Sequence, residues 1–345
     1  MDIQYDFQPK QKSGFKAKIF LLIGIGGILL ASSGVFSSDK ISRKEVEAEE
    51  EPLKFPSVKQ IEEQMQIGTS TVMILMDPPP PALSAGSFLS VFYYGKEKTE
   101  ILAGKEPGKK MPLASVTKLM TALIAYLNIS PEREIIITKD IIKEEDSSLK
   151  LWAGDSFTFR DLFFAMLIES NNDAANAFAA TLGKDNFIKM MNAKAAEIGM
   201  INTYYGNPTG LDPNMDREPI INFSTAEDIF ALAEYILENQ PEIFPITTLK
   251  EYDIYKLKGG FNHKAQTTNK LLEFGDTLAC AGKPIKILGG KTGSTDLARK
   301  NLLLVTESPI ENSHIINIVL GADDHFADMT SLIDWVCQNY DWQIL

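Results

Sequence analysis

The sequence places a serine and a lysine three residues apart, Ser115 and Lys118, in the apolar stretch ASVTKLMTALIAY (114–126). On a helix this spacing puts both side chains on one face. The first turn of a helix carries partial positive charge, and burial would lower the pKa of the lysine. An unprotonated lysine can take the hydroxyl proton, which a serine must lose to attack a carbonyl. Alone the pair is weak evidence, because a helix cap beside an exposed lysine gives the same pattern.

A second group of polar residues follows an apolar helical stretch, in ESNNDAAN (169–176). Ser170 and Asn172 stand where that helix should end and the chain should turn. A serine and an asparagine there can offer a hydroxyl and an amide to a bound peptide group. Ordinary capping between two helices would use the same residues, so this alternative stays open.

A third group lies in GGKTGST (289–295), before a predicted hairpin. Lys291 would present a fixed cation from a strand, Thr292 adds a hydroxyl, and Gly293 would let a substrate backbone approach the strand edge. A glycine-rich turn with a surface lysine is the alternative. A phosphate loop is excluded, because its Gly-x-x-x-x-Gly-Lys-Ser/Thr pattern opens a helix and strand residues follow here.

Together, the three motifs resemble the S-x-x-K, S-x-N and K-T-G set of serine-type penicillin-binding enzymes. The stretches NPTGLD (207–212), STAEDI (224–229) and KTGSTDLA (291–298) are similar to low-molecular-mass D-alanyl-D-alanine carboxypeptidases of the peptidase S11 type. The resemblance covers residues 84–340. It implies a β-lactamase/transpeptidase-like fold and a hydrolase that trims peptidoglycan stem peptides ending in D-Ala-D-Ala. It also implies an acyl-enzyme, inhibition by β-lactams and no cofactor.

The resemblance assigns the catalytic steps to three residues. Ser115 would attack the peptide carbonyl between the two D-alanines, Lys118 would take its proton, and Ser170 would relay a proton to the leaving amine. The substrate would be bound by the side chain of Asn172, the terminal-carboxylate ligands Lys291 and Thr292, the side-chain-free Gly293, and the backbone N–H groups of Ser115 and Ser294 as an oxyanion hole. The sequence departs from the family after Ala298, where Arg299 and Lys300 replace a common glycine.

The remaining patterns predict an α+β fold. An antiparallel sheet should be built from the N- and C-terminal parts, flanked by helices, with a mainly helical lobe between. Predicted strands are 87–94, 99–104, 286–295, 301–308 and 314–322. Predicted helices are 113–128, 158–171, 172–198, 224–238 and 327–340, with Thr158 and Asp161 opening the second, a capping box of Ser224 and Glu227 the fourth, and the DDH stretch (323–325) capping the last.

The N-terminus predicts a membrane anchor. Residues 19–36 are apolar and uncharged over about the length that a bilayer needs, with lysines before them and acidic residues after. The positive-inside rule makes 1–18 a cytoplasmic tail, 37–83 an acidic, proline-containing stalk, and 84–345 an extracytoplasmic catalytic domain. A cleaved signal peptide and a secreted protein are the alternative, although ASS (31–33) is a poor cleavage site.

Composition excludes other classes. A formal net charge of -12 argues against a nucleic-acid partner. The three histidines, His263, His314 and His325, show no metal-binding spacing, so no metal is expected. Cys280 and Cys337 allow one disulfide or two buried thiols.

Three other functions remain open at this point. A D,D-endopeptidase would use the same acyl transfer on cross-links. A class A β-lactamase would need a glutamate for deacylation, and the nearest pair, Glu197 with Asn202, has the wrong spacing and looks like an exposed helix end. A catalytically silent protein that binds the cell wall or senses β-lactams would keep the fold without the activity.

Overall fold

A computed structural model describes residues 73–74, 78–95, 98–142, 151–212, 222–273, 275 and 277–342. Its strands are β1 (Met73–Ile74), β2 (Ser87–Tyr93), β3 (Thr99–Lys105), β4 (Met111–Pro112), β5 (Glu134–Ile136), β6 (Ser156–Thr158), β7 (Phe223–Ser224), β8 (Glu251–Tyr255), β9 (Phe261–Gln266), β10 (Thr277–Cys280), β11 (Lys283–Thr295), β12 (Arg299–Glu307), β13 (His314–Ala322) and β14 (Tyr340–Asp341). Its helices are α1 (Lys118–Asn128), α2 (Phe159–Ile168), α3 (Asn172–Leu182), α4 (Lys184–Ile198), α5 (Ala226–Asn239), α6 (Ile243–Ile246) and α7 (His325–Asn339), with 3₁₀ turns at Ala114–Thr117 and Lys270–Leu272.

The main sheet has six antiparallel strands in the order β10-β11-β12-β13-β2-β3. The two strands from the N-terminal part therefore extend a sheet that the C-terminal part begins. This arrangement confirms the predicted α+β fold and the joint construction of the sheet. Strand β11, which carries the K-T-G motif, lies near one edge and pairs with β12 through a tight hairpin.

Helices cover both faces of this sheet, so its central strands are buried and mostly apolar. Every residue of β2 is buried. Because side chains alternate between faces along a strand, Leu89 and Val91 join the larger core, which includes α1 to α5. Phe88 and Phe92 join a smaller core on the opposite face, against α7. The motif residues lie on the side of the larger core.

The two cysteines lie in the smaller core and form a disulfide. Cys280 ends β10 and Cys337 belongs to α7, and their Cα atoms are 4.9 Å apart. The bridge therefore ties the edge of the sheet to the C-terminal helix. It resolves the choice that the sequence left open between a disulfide and two buried thiols.

Helix starts were predicted well in two of three cases. Thr158 caps α2 by accepting from the backbone N–H of Asp161, and Asp324 caps α7. The capping box of Ser224 and Glu227 was wrong by one residue, because Thr225 is the N-cap of α5. Ser224 is instead part of β7, and its hydroxyl bonds that of Thr203.

Helix continuity was predicted less well. The helix expected over 113–128 is a 3₁₀ turn followed by α1, and the one expected over 172–198 is split at Gly183 into α3 and α4. The helix expected to reach 171 ends at Ile168, because Ser170 takes a left-handed backbone conformation.

Among the described helices, none combines the length and apolar character that crossing a bilayer requires. The predicted membrane segment, residues 19–36, and the predicted tail, 1–18, lie outside the described residues. Within the predicted linker, β1 pairs with β14, and Trp335 donates its indole N–H to the carbonyl of Pro79. The domain start at residue 84 stays a prediction.

Candidate active site

Ser115 lies in the 3₁₀ turn immediately before α1 and is partly exposed. The chain leading into this turn is held on the sheet by Asn301, a fully buried residue of β12. Its side-chain amide donates to the carbonyls of Pro112 and Leu113 at 2.8 and 3.0 Å. Leu113 also donates its N–H to the carbonyl of Asn222 at 3.0 Å. The serine is therefore presented by a turn that is fixed on two sides.

The same turn is packed closely against two glycines. Ala114 has a φ of 47°, and its carbonyl oxygen would lie 1.8 Å from a Cβ at Gly210, so only glycine fits there. On the other side, a Cβ at Gly293 would lie 3.0 Å from the carbonyl of Leu113 and from the backbone nitrogen of Ser115. Gly293 thus allows β11 to approach the serine's turn, a different reason from the substrate approach that the sequence suggested.

Lys118 is the most enclosed charged residue of the site, with no exposed surface. Its Nζ donates to the Oγ of Ser115 at 2.9 Å, to the Oδ1 of Asn172 at 2.7 Å and to the carbonyl oxygen of Thr209 at 2.8 Å. The predicted partnership of the serine and the lysine is therefore a direct hydrogen bond. The 3₁₀ turn produces it by bringing residues three apart onto one face.

The carbonyl of Thr209 is held in place by two asparagines. The Oδ1 of Asn207 accepts the backbone N–H groups of Thr209 and Gly210 at 3.1 and 2.7 Å. Asn222, which is buried, donates to the carbonyl of Asn207 at 2.8 Å and to the hydroxyl of Thr117 at 3.0 Å. The loop that contains NPTGLD is thereby fastened to the turn that carries the serine.

The second motif occupies the connection between α2 and α3. Ser170 has a φ of 64°, and Asn172 is the first residue of α3. Asn171 is the N-cap, and its Oδ1 accepts the N–H of Ala174 at 2.9 Å. The turn aims Asn172 at Lys118 and Ser170 at the third motif.

Lys291 is almost fully buried, with 2% of its surface exposed. Its Nζ donates to the Oγ of Ser170 at 3.0 Å and to the carbonyl oxygen of Thr292 at 3.1 Å. In the described part of the chain no carboxylate pairs with it, and burial lowers the pKa of Lys291 to about 7. The Thr292 hydroxyl bonds that of Thr268, just past β9, at 2.6 Å.

Strand β11 leaves room for a ligand along the last part of its outer edge. The described residues of β10 pair with Lys283–Lys286 alone, and the N–H of Gly290 donates to the hydroxyl of Thr247 at 2.9 Å. The stretch from 291 to 295 pairs with β12 on its inner side. Ser294 is exposed there. An extended peptide can add to such an edge through main-chain hydrogen bonds.

The structure brings together all the residues that the sequence singled out: Ser115, Lys118, Ser170, Asn172, Lys291, Thr292, Gly293 and Ser294. By contrast, Glu197 pairs with Lys194 at the exposed end of α4, and Asn202 donates its backbone N–H to Asp228. These contacts agree with the prediction that Glu197 belongs to an exposed helix end.

Sequence reasoning missed the supporting residues Asn207, Asn222 and Asn301. Each binds backbone groups that are distant in sequence, and single asparagines carry no pattern that would reveal this. The NPTGLD stretch carries the one signal in the sequence, a family resemblance that includes Asn207 but predicts none of its contacts.

Residues 76–324 match the sequence model of the family described as peptidase S11, D-alanyl-D-alanine carboxypeptidase. A D-alanyl-D-alanine endopeptidase of Pseudomonas aeruginosa is 32% identical over 75% of this chain and 81% of its own. The D-alanyl-D-alanine carboxypeptidase DacD of Escherichia coli is 26% identical over 79% of this chain and 68% of its own.

Solved structures give the same result. The crystal structure of penicillin-binding protein D2 from Listeria monocytogenes, in its cefotaxime-bound form, is 28% identical to this chain. It superimposes with a TM-score of 0.61 over 76% of this chain and all of its own. The likeness confirms the predicted transpeptidase-like fold.

Proposed function

This chain belongs to the peptidase S11 family of D-alanyl-D-alanine carboxypeptidases, which are serine hydrolases, and we propose that Ser115 is its nucleophile and Lys118 its base. The substrate is a peptidoglycan stem peptide ending in D-Ala-D-Ala. The observation that carries the proposal is the 2.9 Å hydrogen bond between the Nζ of Lys118 and the Oγ of Ser115.

The surroundings of Lys118 decide where its lone pair points. Two of its partners, the Oδ1 of Asn172 and the carbonyl of Thr209, can only accept hydrogen bonds. A neutral Lys118 therefore donates its two N–H groups to them and directs its lone pair at Ser115, which has a proton to give. After the transfer, the ammonium has three N–H groups for three oxygens, so the product of the transfer is also fully bonded.

Acylation then proceeds with each proton accounted for. Deprotonated Oγ attacks the carbonyl carbon of the penultimate D-alanine, and the backbone N–H groups of Ser115 and Ser294 stabilise the oxyanion. The C–N bond breaks as the Ser170 hydroxyl gives its proton to the leaving amine, and the proton that Lys118 took from Ser115 replaces it, so that Lys118 is neutral again for deacylation. Because the Oγ of Ser170 accepts from Lys291, its own hydroxyl proton is not used in that bond and can go to the leaving amine. Water later hydrolyses the Ser115 ester.

Lys291 and Thr292 bind the terminal carboxylate of the substrate. Lys291 is buried and its protein partners are the Ser170 hydroxyl and the Thr292 carbonyl, both uncharged. An incoming carboxylate supplies the missing negative charge and favours the protonated lysine. Binding is therefore expected to take up a proton at neutral pH, because burial lowers the pKa of the free lysine to about 7.

Release of D-alanine from a synthetic pentapeptide tests this function. Wild type should release one D-alanine per peptide, and Ser115→Ala should release none while keeping the wild-type unfolding temperature. Acylation of wild type by penicillin without any release of D-alanine would favour the β-lactam-sensing alternative. Rapid hydrolysis of penicillin would favour a β-lactamase.

A second candidate function is D,D-endopeptidase action, which is favoured by the 32% identity to a protein of that name. The same acyl transfer serves both reactions, because only the group that leaves differs. Incubation with purified cross-linked muropeptides separates them. Release of monomers would assign endopeptidase activity, and release of D-alanine alone would assign carboxypeptidase activity.

The location is proposed from the sequence alone. Residues 19–36 form a single-pass anchor that leaves residues 84–345 on the outer side of the cell membrane, where the cell wall is. Salt and alkali washes of membranes should leave the protein bound. Its recovery in the soluble fraction with a new N-terminus would instead show a cleaved signal peptide.

A further inference from the structure

Two ionisable residues beside the active site have no part in the mechanism above. Glu169 immediately precedes Ser170, and His263 lies on β9. The Nε2 of His263 and the Oε1 of Glu169 are 2.8 Å apart, and both side chains are 9% exposed. Since a carboxylate only accepts, the ring nitrogen that faces it carries a proton.

Glu169 also bonds the residue that follows Ser170. The same Oε1 accepts the side-chain amide of Asn171 at 2.9 Å. Asn171 in turn caps α3 through its Oδ1. A chain of hydrogen bonds thus runs from β9 through His263, Glu169 and Asn171 into the first turn of the helix that begins with Asn172.

The backbone at Ser170 needs such support. A φ of 64° is unfavourable for serine, and residues in that region persist only when their surroundings hold them. Within the turn, Glu169 and Asn171 donate their N–H groups to the carbonyl of Ala165 at 3.2 and 3.3 Å, and from outside it Thr268 donates its N–H to the carbonyl of Ile168 at 3.2 Å. His263 adds a contact from a separate element, 94 residues away in sequence.

We propose that His263 and Glu169 are positioning residues that hold Ser170 where it bonds Lys291 and where its hydroxyl can pass a proton to the leaving amine. This inference rests on the proposed function, in which Ser170 passes a proton to the leaving amine. His263 touches neither Ser170 nor Lys291 in the contacts described, so it acts through Glu169 and the turn. A displacement of about 1 Å at a reacting group can cost about 100-fold in rate.

The test compares His263→Leu with His263→Gln in the full-length chain. Leucine removes the N–H donor, and glutamine keeps an N–H near the position of Nε2. We expect His263→Leu to lower kcat for D-alanine release by about 100-fold with little change in KM. His263→Gln should keep most of the wild-type kcat. The matched control is Lys264→Gln, which should behave as wild type. Lys264 is the exposed neighbour of His263 on β9 and pairs with Glu251.

A double-mutant cycle separates positioning from a general structural effect. If His263 acts through Ser170, His263→Leu should cost nothing further in a Ser170→Ala background. An equal loss in both backgrounds, or a normal kcat for His263→Leu alone, would overturn the inference. A normal kcat for Ser170→Ala would instead contradict the proposed role of Ser170. If His263→Leu does not fold, Glu169→Gln measured through the same cycle decides the question.

Discussion

Two buried lysines lie in the same cleft, and their surroundings differ. Lys118 has three oxygen partners, one on its own turn and two on other elements. Lys291 has two uncharged partners, one next to it on β11 and one in the connection between α2 and α3, and desolvation lowers its pKa to about 7. Among the described residues, Lys118 thus has an oxygen partner for each of the three N–H groups of an ammonium, whereas Lys291 has two and can still donate to a ligand.

In the proposed mechanism, this difference separates the general base, Lys118, from the carboxylate-binding group, Lys291. A lysine that must accept a proton from one serine needs its other directions fixed, and Asn172 and Thr209 do this for Lys118. A lysine that must bind a carboxylate needs a place left for it, as Lys291 has. Under the proposed mechanism, similar burial therefore serves two different tasks.

The largest effect should come from removing the amine of Lys118, the proposed general base. Lys118→Met keeps an unbranched side chain of similar length but has no amine. We expect acylation of the protein by a fluorescent penicillin to slow by about 10²- to 10⁴-fold, the range for loss of a general base. The exposed Lys109→Met is the control and should be unchanged. A Lys118→Met protein acylated within tenfold of the wild-type rate would remove Lys118 from the mechanism.

Removing the cation of Lys291 should lower the activity less, and the loss should depend on whether the substrate has a free carboxylate. Lys291→Gln is expected to lower kcat/KM for a peptide with a free terminal carboxylate by about 100-fold, the loss of one hydrogen bond between charged groups. The same peptide with an amidated terminus should change much less. Equal losses for both peptides would mean that Lys291 does not recognise the carboxylate.

Substrate binding should depend on pH. Above about pH 7, the Kd should rise by about tenfold for each pH unit. A lysine with a lowered pKa is charged below pH 7 and neutral above it, so carboxylate binding should weaken as the pH rises past about 7. The measurement is the Kd of a D-Ala-D-Ala peptide for the unreactive Ser115→Ala protein between pH 6 and 9.

Lys291→Arg provides the control for that titration. Its guanidinium stays charged over the whole range, so the Kd should become nearly independent of pH. A pH dependence that survives in Lys291→Arg must come from another group and would reject the assignment.

The smallest effect on catalysis should come from the disulfide, which lies in the core on the other face of the sheet. Replacing both Cys280 and Cys337 with serine should lower the free energy of unfolding by about 3 kcal/mol, a typical value for one bridge. Urea unfolding would measure this loss. The activity of the protein that remains folded should stay at the wild-type level, and a reduced kcat would show that the bridge also shapes the cleft.

The sequence was sufficient to predict the sheet and the meeting of the three motifs. Strand patterns at both ends of the chain and helical patterns between them left few topologies. Ser115 and Lys118 were predicted to share a face, and they do so although their turn is 3₁₀ and not α-helical. Residues three apart lie on one face in both kinds of helix, so the prediction did not depend on which one forms.

The sequence was not sufficient where tertiary bonds decide. Asn301 holds the turn of Ser115 across 188 residues of chain, and no local pattern encodes such a bond. The cap of α5 was misplaced because Ser224 and Thr225 fit the cap pattern equally well. The bond from Ser224 to Thr203 leaves Thr225 as the cap.

The central claim, that the Ser115 hydroxyl is the group that forms the acyl-enzyme, has one direct test. Wild-type protein exposed briefly to penicillin is digested, and the peptides are analysed by mass spectrometry. One penicillin per chain is predicted, carried by the peptide that contains Ser115, and none on the Ser115→Ala protein. An adduct on another residue, or the same adduct on Ser115→Ala, would contradict the account.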